Sequence, residues 1–75
     1  MNIDSLGKLL HSMYNTAPHG DQVAHIHLFG VKYADLILKN HYSVKEIVAA
    51  SGINPSYATE VSKGIKLSRY VIVKD

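Results

Sequence analysis

Ser43-Val44-Lys45-Glu46-Ile47-Val48-Ala49-Ala50-Ser51-Gly52-Ile53-Asn54-Pro55-Ser56-Tyr57-Ala58-Thr59-Glu60-Val61-Ser62-Lys63 holds two short helices and the turn between them. Ser43 is placed to cap the first helix, with Glu46 three residues on in capping-box position. Ile47, Val48 and Ala50 supply the buried side of that helix, and Gly52 ends it. Asn54 then acts as N-cap and Pro55 takes the first helical position, where its missing N–H costs nothing. Ala58 and Val61 follow Ile53 by five and eight residues, the spacing of buried positions on a second helix, which Gly64 is expected to terminate. Small Ala58 allows the two helices to cross closely.

Upstream, Ile3, Leu6, Leu10, Met13, Tyr14 and Ala17 recur at spacings of three and four, which predicts an amphipathic helix over about 3–16, stopped by Pro18 and Gly20. Asp21 is a candidate N-cap for another helix running to about Lys39, before Asn40-His41-Tyr42 breaks the pattern. On a wheel of 100° per residue, Val23, Ile26, His27, Gly30, Ala34, Ile37 and Leu38 share the face expected to pack inward. Phe29 and Leu36 then fall on the mixed side with His25, Lys32 and Lys39. Gly30 in mid-helix marks either close packing or a kink. Downstream, Tyr70-Val71-Ile72-Val73 ends a β-branched segment that reads as a strand over about 69–73. The expected fold is therefore mainly α: one domain, 1–75, of four helices with a helix-turn-helix at about 43–63 and one short C-terminal β-strand.

Composition narrows the function. A chain of 75 residues has room for one modest core, which argues against an enzyme with a deep pocket. There is no cysteine, so neither disulfides nor thiolate metal sites arise, in keeping with a reducing cytoplasm. The first residues lack the basic start and apolar run of a signal peptide, and no apolar run is long enough for a membrane span. Eight Lys and Arg against six Asp and Glu give a formal charge of +2, with a pI near 9.0. The excess collects toward the C-terminus, where Lys63, Lys66, Arg69 and Lys74 follow Val61 with no acidic residue between Val61 and Lys74.

The segment from Ser43 to Lys63 resembles the helix-turn-helix of small bacterial and phage regulators, the broad class that includes the Cro and repressor families. That resemblance implies a cytoplasmic transcriptional regulator that binds double-stranded DNA sequence-specifically, with its second helix, 55–63, in the major groove. The residues themselves point the same way. With Ala58 and Val61 inward, the outward set is Asn54, Ser56, Tyr57, Thr59, Glu60 and Lys63, rich in hydrogen-bonding groups. Asn54, Ser56, Tyr57 and Thr59 are candidates for base contact, and Lys63, Lys66 and Arg69 for phosphate contact. Glu60, which would oppose DNA, is expected to pair with Lys63.

His11, His19, His25, His27 and His41 have poor spacing for a metal site, since His25 and His27 point about 200° apart on a helix. His27 reads instead as a hydrogen-bonded core histidine. No nucleophile elbow or glycine-rich phosphate loop is present, so no catalytic residue, metal, cofactor or small-molecule substrate is expected. An unpaired strand needs a partner, which suggests a homodimer joined through Tyr70, Val71 and Val73, with Phe29 and Leu36 covered by the same event. The competing reading is a protein–protein interaction module, an antitoxin or adaptor, that uses the same shape without reading DNA.

Overall fold

The computed structural model describes residues 1–74; Asp75, the last residue of the expected domain, lies outside them. Among the described residues, four α-helices follow in order, α1 (Ile3–Thr16), α2 (Gln22–Lys39), α3 (Val44–Ser51) and α4 (Ala58–Leu67), with a 3-10 turn, Pro55–Tyr57, leading into α4. Local chemistry explains most of the boundaries. Asn2 caps α1 by accepting from Ser5 N at 2.8 Å, and Ser43 caps α3 by accepting from Glu46 N at 3.3 Å. Asp21 precedes α2 but makes no side-chain cap bond; its carbonyl accepts from His25 N at 3.0 Å. At the other end of α2, His41 adopts φ 55° while Tyr42 N reaches back to Ile37 O at 3.0 Å. This is the left-handed helix ending usually given to glycine.

The helices pair crosswise. The most extensive packing is between α2 and α4, the next between α1 and α3, and the two helices of the helix-turn-helix touch one another far less. The core joins Leu6 and Leu10 of α1, Ile26, Phe29 and Ile37 of α2, Ile47 and Val48 of α3, Ile53 of the turn and Val61 of α4. Ala58 packs against this cluster half-buried.

Several expectations are corrected. Phe29, placed on the mixed side of α2, is fully buried and packs against Tyr33 with the rings tilted by 46° and their centroids 5.2 Å apart. Contacts from both α1 and α4 widen the buried arc of α2 beyond a single stripe. Leu36 is half-buried against the same core. Val23 and Leu38, on the expected inner face, lie near the two ends of α2 and are exposed, as is Ala50 on α3.

Gly64 does not end its helix; α4 continues to Leu67. Both Gly64 and Gly30 sit where α2 and α4 cross. A Cβ on Gly30 would come within 2.5 Å of Val61 O and 2.9 Å of Gly64 Cα, and one on Gly64 would collide with His27 O. The two glycines let the backbones touch, so Gly30 marks close packing within an unbroken α2.

No β-strand is present among the described residues, and the expected strand at 69–73 is absent. Tyr70 N and Val71 N both bond to Leu67 O, at 2.9 and 3.1 Å. These bonds wind the end of α4 into a further turn. The chain then runs back along α2, where Val71, Ile72 and Val73 line a groove with Val31, Lys32 and Asp35. β-Propensity without a second strand to complete the ladder has yielded to the helix end and to α2.

Candidate nucleic-acid interface

The turn between α3 and α4 is fixed from several directions. Gly52 adopts φ 78°, a conformation that disfavours any side chain. Buried Ser51 donates its hydroxyl to Val48 O at 2.5 Å and accepts from Ile53 N at 3.2 Å. His11 of α1 donates from Nδ1 to Ser51 O at 3.0 Å, and its Nε2 accepts from Asn15 at 2.8 Å. Among the described residues, no buried side-chain nitrogen or oxygen lacks a hydrogen-bond partner. Asn54 Oδ1 accepts from Ser56 N at 2.9 Å and opens the 3-10 turn with Pro55 at its start.

This geometry sets the faces of α4. Val61 and Gly64 are buried toward α2, which leaves Thr59, Lys63 and Lys66 exposed along the opposite crest. Asn54 and Ser56 are exposed at the entry to the helix. Tyr57 is less free. Its ring lies 5.4 Å from that of Tyr14, and the two hydroxyls are 3.4 Å apart. The contact with Tyr57 holds the Tyr14 proton and raises its pKa above the ordinary 10.0. Arg69 lies beyond the helix end, on the side facing Leu38 and Val44.

Glu60 faces sideways toward α2. His27 Nε2 donates to its Oε1 at 2.8 Å, and Lys63 Nζ donates to Oε2 at 3.3 Å. These bonds, His27 first and Lys63 second, lower the Glu60 pKa below 4.5. The expected Glu60–Lys63 pair is present; His27, expected as a core histidine, is instead about 31% exposed beside the core, and its partner is this carboxylate. With two donors on it, Glu60 presents little uncompensated negative charge to the crest.

Lys45 and Ser62 were not singled out as site residues by sequence. With Ser43, Val44, Ala58 and Thr59 they line a shallow groove of about 480 Å³ between the start of α3 and the side of α4. A signal for Lys45 did exist. A cation in the first turn of a helix opposes the positive end of the helix dipole, so its place there is not explained by helix stability. Lys45, Lys63, Lys66 and Arg69 are all exposed.

Two helices joined by a left-handed glycine turn, the second presenting a polar, cationic crest, define a helix-turn-helix protein. A family profile described as an HTH-like domain matches residues 2–74, and the chain belongs to that family. No curated protein and no solved structure matches it. Among the described residues, no helix is long and apolar enough to cross a membrane.

Proposed function

We propose that this protein binds double-stranded DNA sequence-specifically, as a small transcriptional regulator of the repressor type. The start of α4 then enters the major groove. The observation that supports it is the exposed crest of α4, Thr59, Lys63 and Lys66, held opposite the buried Val61 and Gly64 by a rigid turn. Asn54, Ser56 and Thr59 are short enough to approach base edges. Tyr57 contributes one edge of its ring while Tyr14 supports the other side. Lys45, Lys63, Lys66 and Arg69 surround these positions with charge suited to phosphates.

A single head of this size covers few base pairs, and two heads related by a dyad would read a palindrome with half-site centres roughly 34 Å apart. The working unit in this reading is a homodimer in the cytoplasm of a bacterium or its phage. Of the side chains expected at its interface, Phe29 is buried in the chain's own core, Leu36 is half-buried, and Tyr70 and Val71 are exposed.

Selection of bound sequences from a random duplex pool tests the reading and supplies the site. On that site, Lys66→Ala should weaken binding to all sequences and lower the salt slope by roughly one, whereas Thr59→Ala should relax preference at one position. Recovery of no enriched sequence would refute specific DNA binding, and affinity indifferent to salt would favour docking of a protein partner.

A further inference from the structure

Glu60 is the one acidic residue of α4, and it stands beside the crest that the DNA-binding reading turns toward phosphates. Lys63, one turn on, is 59% exposed and donates to Glu60 Oε2 at 3.3 Å. Charge that Lys63 turns toward a phosphate is withdrawn from this carboxylate. Glu60 would then repel the duplex at a range that salt screens only in part. The second donor decides the outcome. His27 of α2 gives its Nε2 proton to Glu60 Oε1 at 2.8 Å. A carboxylate only accepts, so this bond keeps the proton on Nε2 and leaves Nδ1 with a lone pair. The His27 side chain is partly exposed, within reach of solvent protons. Around it, Glu60, Lys63 and Lys66 of α4 and Tyr70 of the following turn are the charged or titratable groups. Among the described residues, no side chain of α1, the other helix packed on α2, lines the cleft in which the ring sits.

We propose that His27 is a positioning residue for DNA binding that acts through Glu60, an inference that rests on the DNA-binding reading above. It holds the carboxylate back against α2, and when Lys63 moves to a phosphate it takes one proton from solvent at Nδ1. The imidazolium keeps its Nε2 hydrogen bond, now charged on both sides, and replaces the cation that Glu60 has lost. The Glu60–His27 pair thus changes from a net charge of minus one to neutral as the polyanion arrives. In the free protein Lys63 already supplies the positive charge, so no such proton is needed. The bound state therefore holds more protons than the free state. Affinity must then rise as pH falls through the range where imidazoles ordinarily titrate, near pH 6.5.

The test measures affinity of the full chain for the duplex recovered by selection, between pH 8 and pH 6 at constant ionic strength. Far-UV circular dichroism at each pH verifies the fold of every variant. Wild type should bind about 3- to 10-fold more tightly at the lower pH. His27→Gln, whose amide can donate to Glu60 but takes up no proton, should match wild type at pH 8 and lose most of that gain. Glu60→Gln should bind more tightly than wild type at pH 8 and show the same flattened profile. Adding His27→Gln to it should flatten the profile no further, because the two residues act as one unit. His11, His19, His25 and His41 are common to all four proteins, so the difference between profiles isolates His27. A His27→Gln protein that keeps the wild-type pH profile, or loses affinity equally at every pH, would overturn the positioning role while leaving DNA binding in place. A wild-type protein that binds no duplex overturns both.

Discussion

Replacing Gly64 by alanine sets two opposite effects of known size against each other. In an isolated helix the change is favourable by about 1 kcal/mol, since glycine is the poorer helix former. In this protein the added methyl group points into the backbone of α2. It would overlap His27 O and stand 3.0 Å from Gly30 Cα. Neither atom belongs to a side chain that can rotate away, so α2 and α4 must separate. Overpacking of this kind costs about 1–3 kcal/mol, more where nothing can yield. This contact is backbone against backbone, so the upper part of that range applies and the net loss should be about 1–2 kcal/mol. At 0.05–0.15 kcal/mol per residue, total stability is of the order of 4–11 kcal/mol, so the loss is a substantial share. Thermal melting followed by circular dichroism should show Tm lower by roughly 4–16 °C. Gly30→Ala should behave alike, and the double variant should cost less than the sum, because the first methyl already opens the crossing. A Gly64→Ala protein as stable as the parent, or more so, would show that helix propensity outweighs the crossing and would refute the argument.

Two further outcomes follow from single sites. Glu60 has a lowered pKa, so its bonds stabilise the fold above the ordinary value of 4.5 and are lost as pH falls through the folded-state value. The urea midpoint of wild type should therefore exceed that of Glu60→Gln at neutral pH and converge with it in acid; a gap that persists in strong acid would contradict this. His41→Gly should raise stability by about 1 kcal/mol, because glycine adopts φ 55° without strain. A lower urea midpoint for that variant would show that the His41 side chain contributes more than its backbone costs.

The parts of the fold that could be read from sequence are those set by local chemistry. Ser43, Gly52, Asn54 and Pro55 each have one strong conformational preference, and the turn they form was recognisable from them alone. Positions that depend on a distant partner were not. Gly64 carries the same signal whether it ends a helix or admits another backbone, and only its meeting with Gly30 distinguishes the two. Phe29 was misplaced because a helical wheel assumes one covered face, whereas α2 is covered by both α1 and α4. The Tyr70–Val73 segment has the composition of a strand, but the described chain offers it no ladder. In the candidate site, Thr59, Lys63 and Lys66 were legible from helical phase. Lys45 carries a signal in its unfavourable first-turn position, but its nearness to Thr59 and Ser62 arises only from the way α3 and α4 are brought together.

The crosswise pairing of helices also bears on transplantation. In many designs a recognition motif is treated as a cassette that can be moved between hosts. Here α3 rests chiefly on α1 and α4 chiefly on α2, with little contact between α3 and α4 themselves. A peptide cut at residues 43–67 would leave most of the apolar faces of Ile47, Val48 and Val61 in water and would be too short to hold its angle. Grafts should therefore carry the whole chain, and exposed positions on the crest of α4 are where side chains can be exchanged without disturbing either pair.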